Sequence, residues 1–284
     1  MLVHLLDKAS TVAMLSFVIS SMLAMGLGLS ITQIIQPLRD ARLIALALIA
    51  NFVLMPLIAL AISTLLRLDE PLAVGLLLLG CAAGAPFLPK LAELAKGNLA
   101  FAVGAMVLLM VATVGYLPIV LPLLLPNVRV NPVKIAQSLV LLMLIPLGIG
   151  LATNARFVEL AARAKPLLDR ISNISLILLV LLITAANGHK VLQVFGTGGI
   201  LAALLFIVLG LGIGWLFGGP RSDTRRVLGL GTGQRNIAAA LVVASQSFSD
   251  PQVVVMVIVV AIVGLLVLMP LSRALGTRPV VVAQ

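Results

Sequence analysis

The chain reads as an all-α, polytopic membrane protein of about nine spanning helices, and three features of the sequence carry that reading. Hydrophobic residues make up 62% and charged residues 10%, where a soluble domain has about a quarter of its residues charged. Such a composition cannot cover a water-facing surface. Apolar runs of bilayer length follow one another, the first two being Thr11 to Ile34 and Leu43 to Thr64. Each matches the roughly 20 residues a helix needs to cross about 30 Å of hydrocarbon. Aromatic residues are scarce, 4% with one Trp and one Tyr, and the Leu/Ala/Val runs do not alternate with period two, which excludes a β-barrel with its aromatic girdles.

Hydropathy and loop punctuation place the spans at 11–34, 43–65, 71–95, 98–125, 133–153, 169–187, 196–218, 224–246 and 250–272. The first is longer than the roughly 7 to 15 residue apolar core of a signal peptide and lacks its cleavage site. The second carries Asn51. The fourth opens after Gly97-Asn98 and ends at Pro118, and the ninth opens after Ser249-Asp250-Pro251 and ends at Pro270, a likeness that reads as a duplicated unit. Charged residues gather in the connections. With the C-terminus cytoplasmic, twelve of the nineteen Lys and Arg, Arg278 among them, fall on the inside and five, Arg129 among them, outside, while Lys90 and Arg235 fall within spans. This follows the positive-inside rule and puts the N-terminus outside. The net charge of +10 forms no basic arm or patch of a nucleic-acid binder.

The third and eighth spans differ from the rest because each is interrupted near its middle. The third reads GCAAGAPFLPKLAEL, with Gly80, Gly84, Pro86 and Pro89, and the eighth reads GLGTGQRNIAAAL, with Gly229, Gly231 and Gly233. Gly and Pro weaken or end helices. Backbone groups freed in lipid must be satisfied by protein, water or ligand, so two matched interruptions point to one shared binding site, where half-helix N-termini favour anions. Arg235, beside the second break, presents forked donors to a carboxylate, sulfate or phosphate, and an ionisable residue at membrane depth marks a functional site. Lys90 joins it as a second cation, with Glu93 three residues on as its intrahelical partner. Gln234, Asn236 and Asn51 supply amides, and Thr232, Pro86 and Phe87 flank the breaks. His4 and His189 stand at span ends without metal-ligand spacing, and Cys81 is buried rather than reactive. No metal site, cofactor or catalytic constellation is expected.

The segments MGLGLSITQI, NFVLMP, GCAAGAPFLPKLAELAKGN and GQRNIAAAL resemble the bile acid/sodium symporter superfamily over almost the whole chain. That resemblance implies two inverted five-helix repeats, here 1–125 with its first helix missing and 126–284, with core and panel domains interleaved between them and broken helices crossing at the substrate site. Aligned on Ala95 to Asn98, the family's Ser-Asn sodium-ligand pair falls on Leu88 and Pro89, and its hydroxyl ligands on Ala102 and Met106. Its acidic ligand falls on Gly231 and a glutamine on Arg235, while Asn51 replaces another glutamine. Hard cations want several oxygen ligands, so sodium coupling is not expected. The expectation is a secondary transporter of small organic anions, working by alternating access in a bacterial inner membrane, and not an enzyme. The alternatives are a sodium-coupled bile acid or organic-anion symporter, an anion channel, and a metalloid exporter using Cys81.

Overall fold

A computed structural model describes residues 2–35, 39–125, 131–193 and 196–277. Arg129 and Arg278 of the charge argument lie outside the described residues, as do the side chains of His4, His189 and Lys190. Every regular element among the described residues is helical. In chain order they are α1 (Leu2–Leu27), α2 (Ile31–Ile35), α3 (Ala41–Ile49), α4 (Met55–Leu65), α5 (Glu70–Cys81), α6 (Leu88–Leu94), α7 (Leu99–Leu124), α8 (Pro132–Leu139), α9 (Ile145–Arg156), α10 (Val158–Gln193), α11 (Gly199–Phe217), α12 (Ser222–Gly233), α13 (Ile237–Ser247) and α14 (Pro251–Thr277). Two five-residue π-helical turns, Ala50–Leu54 and Val140–Leu144, join α3 to α4 and α8 to α9. Seven segments among the described residues are long and apolar enough to cross a bilayer: Lys8–Leu27, Ala41–Leu65, Leu99–Leu124, Pro132–Arg156, Gly199–Phe217, Ser222–Ser247 and Pro251–Thr277. The protein is a multi-pass integral membrane protein.

Seven such segments among the described residues stand where nine spans were expected: the run over 71–95 is divided between the short helices α5 and α6, and that over 169–187 lies within α10. The limits of this last run and of the first differ for local reasons. The run expected over 11–34 stops at Leu27, because Ser30 and Gln33 exchange backbone-to-side-chain bonds of 2.9 and 3.3 Å and start α2 afresh. This is a reciprocal capping box. The run expected over 169–187 is part of the 36-residue α10. Its added N-terminal turns are charged and partly exposed, with Lys165 bonded to Asp169 at 2.7 Å, so hydropathy alone passes over them.

Helices α1, α9 and α10 pack lengthwise on one another, while α4, α5, α11, α12 and α14 form a second group. Within the first group the backbones of α1 and α9 nearly touch. A Cβ on Gly26 would lie 2.3 Å from the Leu147 carbonyl oxygen, and one on Gly150 would lie 2.5 Å from that of Leu23. Small residues permit this approach where lipid supplies no hydrophobic drive. The two groups meet directly where α10 touches α14, and through α13, which packs on α14 and is touched by α1 and by α8, where Ser138 donates to Gln246.

Candidate functional site

The site is built from one π turn and two places where the chain leaves the helix. Asn51 lies in the π turn between α3 and α4 and is fully buried. That turn is tied to a proline: Pro56 has no N–H to give to the Phe52 carbonyl, and the hydroxyl of Tyr116 on α7 donates to it instead. Ring packing between Phe52 and Tyr116, with centroids 4.7 Å apart, fixes that approach.

The first interruption runs from the end of α5 at Cys81 to the start of α6 at Leu88. Gly84 adopts φ +78°, and a Cβ there would sit 2.2 Å from the Met110 nitrogen, so both conformation and space demand glycine. Ala83 is held at both backbone groups by one side chain. The Thr113 hydroxyl accepts from Ala83 N at 2.9 Å and donates to Ala83 O at 3.1 Å. Pro89, read from sequence as part of the break, instead occupies the first turn of α6, where its missing donor costs nothing.

The second interruption is shorter, spanning Gln234, Arg235 and Asn236 between α12 and α13. Gly231 and Gly233, read from the sequence as part of the break, are still helical, Gly233 being the last residue of α12. Asn236 caps α13 by accepting from Ala239 N at 3.1 Å. Its own backbone N–H donates to Ala82 O at 3.0 Å, and its side-chain Nδ2 donates to Ala83 O at 3.3 Å and Gly84 O at 3.1 Å. The two interruptions are therefore joined backbone to backbone.

Arg235 fills the junction, 2% exposed. Nε donates to Leu79 O at 2.8 Å and Nη2 to Gly80 O at 2.8 Å. Nη1 donates to Asn51 Oδ1 at 2.6 Å, with longer contacts of 3.4 Å from Nη1 to Thr232 O and from Nη2 to Asn51 O. Leu79 and Gly80 belong to the last turn of α5, which carries the negative end of the helix dipole, and Leu79 O also accepts from the capping Ala82 N at 3.1 Å. A buried cation is costly unless its donors are all engaged, and these oxygens engage them. Asn51 is oriented for the task because its Nδ2 donates to Thr232 Oγ1 at 3.2 Å and Ala47 O at 3.0 Å.

The structure thus brings Arg235, Asn236, Thr232, Asn51 and Gly84 together. Gln234 is half-buried beside them, and its Oε1 has no hydrogen-bond partner. Pro86 and Phe87 are half-buried in the turn leading into α6. Lys90 is not at the junction. It is exposed on α6 and bonded to Glu93 at 2.8 Å. Cys81 is fully buried at the end of α5, and the described residues contain no group of three or more His, Cys, Asp or Glu fit to hold a metal. Thr113 and Tyr116 escaped the sequence reading. Their signal was two hydroxyls in the otherwise apolar Leu99–Leu124 helix.

The model of the Sodium Bile acid symporter family matches residues 15–194 of the chain. The chain belongs to the sodium bile acid symporter family. The family match takes in the π turn at Asn51 and the first interruption, and it ends before Arg235. Among curated proteins, the chain is similar to the uncharacterized sodium-dependent transporter YocS of Bacillus subtilis (strain 168), at 30% identity over 69% of this chain and 60% of that protein. It is similar also to two probable sodium/metabolite cotransporters of Arabidopsis thaliana chloroplasts. BASS3 is 24% identical over 86% of this chain and 59% of that protein, and BASS1 is 28% identical over 79% and 58%. The chain thus spans about 60% of the length of the curated family relatives it matches.

Proposed function

We infer that this chain is a secondary transporter of organic anions that works by alternating access without coupling to sodium. The observation that carries this reading is the Arg235 guanidinium, whose donors face five protein oxygens at the helix junction. A metal cation would seek the same carbonyl and amide oxygens, and here a covalently attached charge takes them. The other expected sodium ligands do not fit the ion either. Leu88, Ala102 and Met106 offer no oxygen from their side chains, and Leu88 packs where an acidic residue in place of Gly231 would project, its Cδ2 being 2.8 Å from a Cβ built there.

In this reading Arg235 does not donate to the substrate. It offsets the negative end of α5 and holds the two interruptions together, so that the N-termini of α6 and α13 stay aimed at one place. Gln234, with its unpartnered amide oxygen, meets a donor on the substrate, and Pro86 and Phe87 give it an apolar wall. Lys90 attracts the anion from the exposed face of α6.

The spacing of the elements supports a duplicated unit of nine spans overall. From the start of α5 to the start of α7 is the same interval as from the start of α12 to the start of α14. The excess of basic residues in one set of connections supports a cytoplasmic C-terminus. A second reading, a sodium-coupled symporter, draws on the printed names of the relatives. One experiment separates the two: uptake of a panel of organic anions into proteoliposomes, with sodium and then with choline outside. Equal uptake is expected, and uptake that vanishes in choline overturns the sodium-independent reading.

A further inference from the structure

The seam between the two helix groups carries a buried polar pair that the helix junction does not use. Ser138 stands on α8, which runs through the second π turn into α9 and so goes with the first group. Gln246 stands in the last turn of α13, which packs on α5 and α14 of the second. Ser138 is 8% exposed between Ile135 and Leu139, which are 1% and 0% exposed, and its hydroxyl donates to Gln246 Oε1. A hydroxyl and an amide so placed are costly without a partner, and each serves the other. The rim of the seam is polar as well. Gln137 and Ser245 are exposed there, and Ser247 is half-buried.

The pair lies at the opposite end of the bundle from the close of α6. Helices α12 and α13 together make one span, Ser222–Ser247. Its start is tied to the close of α6, where Asn98 N donates to Asp223 O at 3.3 Å and Arg226 Nη1 to Ala95 O at 2.8 Å. The close of α13 is therefore at the other side of the membrane, beyond the two interruptions. These two ends differ. Lys90 and Glu93 on α6 are exposed, and charged side chains within a span face water rather than lipid. The α13 end is shut, with Val242, Val243 and Ala244 buried. A seam closed by hydrocarbon alone would resist parting, whereas a hydrogen bond exchanges for bonds to water at little net free energy. We propose that the Ser138 to Gln246 bond is a reversible latch, which holds the junction closed on the α13 side and parts when the first helix group moves against the second. The latch rests on the alternating-access reading above, and it names the residues that set the balance between its two states.

Thiol accessibility in the purified full chain tests this without any substrate. Ile135 lies one turn before Ser138 on the buried face of α8, so I135C reports on the seam. Maleimide labelling is counted by mass, which separates it from the buried Cys81. In the I135C background, S138A or Q246A should label about five- to tenfold faster, the weight of one hydrogen bond in an opening equilibrium. Combining S138A with Q246A should add nothing further, since both remove the same bond. The control is A161C, a fully buried position near the start of α10, where neither substitution should change the rate. Labelling of I135C unaffected by S138A and Q246A overturns the latch. So does a double variant that multiplies the two single effects, or equal acceleration at A161C, which would mark a general loosening. Failure of every anion to enter proteoliposomes would count against the transport reading alone, because labelling reads the seam directly.

Discussion

Asn51 Oδ1 accepts from Arg235 Nη1 at 2.6 Å across 184 positions of sequence. Through that bond a π turn in one membrane helix supports the charge that closes the gap between two others. Asn51→Leu removes the acceptor and leaves part of a buried guanidinium unpaired, at a cost of about 2 to 3 kcal/mol. Its melting temperature in detergent should fall clearly, while Asn51→Asp, which keeps an acceptor, should fold. An unshifted melting temperature for Asn51→Leu would contradict the role assigned to the pair.

Arg235→Gln leaves the Leu79 and Gly80 carbonyls without their charged donor. The variant should be less stable than wild type by roughly 3 kcal/mol. If those oxygens then accept a metal ion, sodium chloride should raise the melting temperature of the variant above its value in choline chloride, and leave wild type unchanged. Identical melting in both salts would show that removing the arginine does not expose a cation site.

Gly84→Ala should prevent a stable fold, since its φ is +78° and the added Cβ would be 2.2 Å from backbone. Gly115→Ala on α7 is the contrast. Nothing lies within 4 Å of its Cβ, and alanine in place of a helical glycine gains up to about 1 kcal/mol. Yield of monodisperse protein and thermal unfolding read both.

Thr113→Val keeps the shape of the side chain and loses both bonds to Ala83. Two buried backbone groups are then unpaired, and a loss of about 2 to 4 kcal/mol follows. Thr113→Ser should retain most of the stability. Equal stability of the valine and serine variants would mean that another group satisfies Ala83.

Lys90→Ala should leave stability within about 0.5 kcal/mol, because its pair with Glu93 is exposed and such pairs contribute little. The apparent KM for anion uptake should rise a few-fold at low ionic strength and converge on wild type in high salt. A KM unaffected at low salt would place Lys90 off the substrate's path.

Composition and run length were enough to read an all-helical membrane protein, since bilayer thickness leaves few alternatives. The interruptions were legible for the same reason. Glycine and proline clusters at membrane depth are visible as letters, and Gly84 and Pro86 lie outside helix where those clusters indicated, whereas Pro89, Gly231 and Gly233 are helical. What Arg235 does was less accessible. Its donors face main-chain oxygens of Leu79 and Gly80, and every residue has such oxygens, so nothing in the spelling distinguishes those two. Thr113 and Tyr116 were passed over because single hydroxyls in a long apolar helix commonly bond to their own backbone. Only the folded chain shows them serving carbonyls elsewhere. The limits of α1 and α10 followed capping and charge rather than hydropathy.

The π turn at Ala50–Leu54 amounts to an α-helix carrying one residue too many. Deleting any one of the four residues other than Asn51 would let the helix close in regular register with its flanks in place, and would remove the widened turn that presents Asn51. Asn51 would swing away from Arg235 although every other amino acid was kept. The seat of the arginine therefore depends on chain length at one point as much as on chemistry. When family sequences are aligned, a single-position gap in this stretch is a better sign of a rebuilt interior than a dozen conservative exchanges in the surrounding leucines.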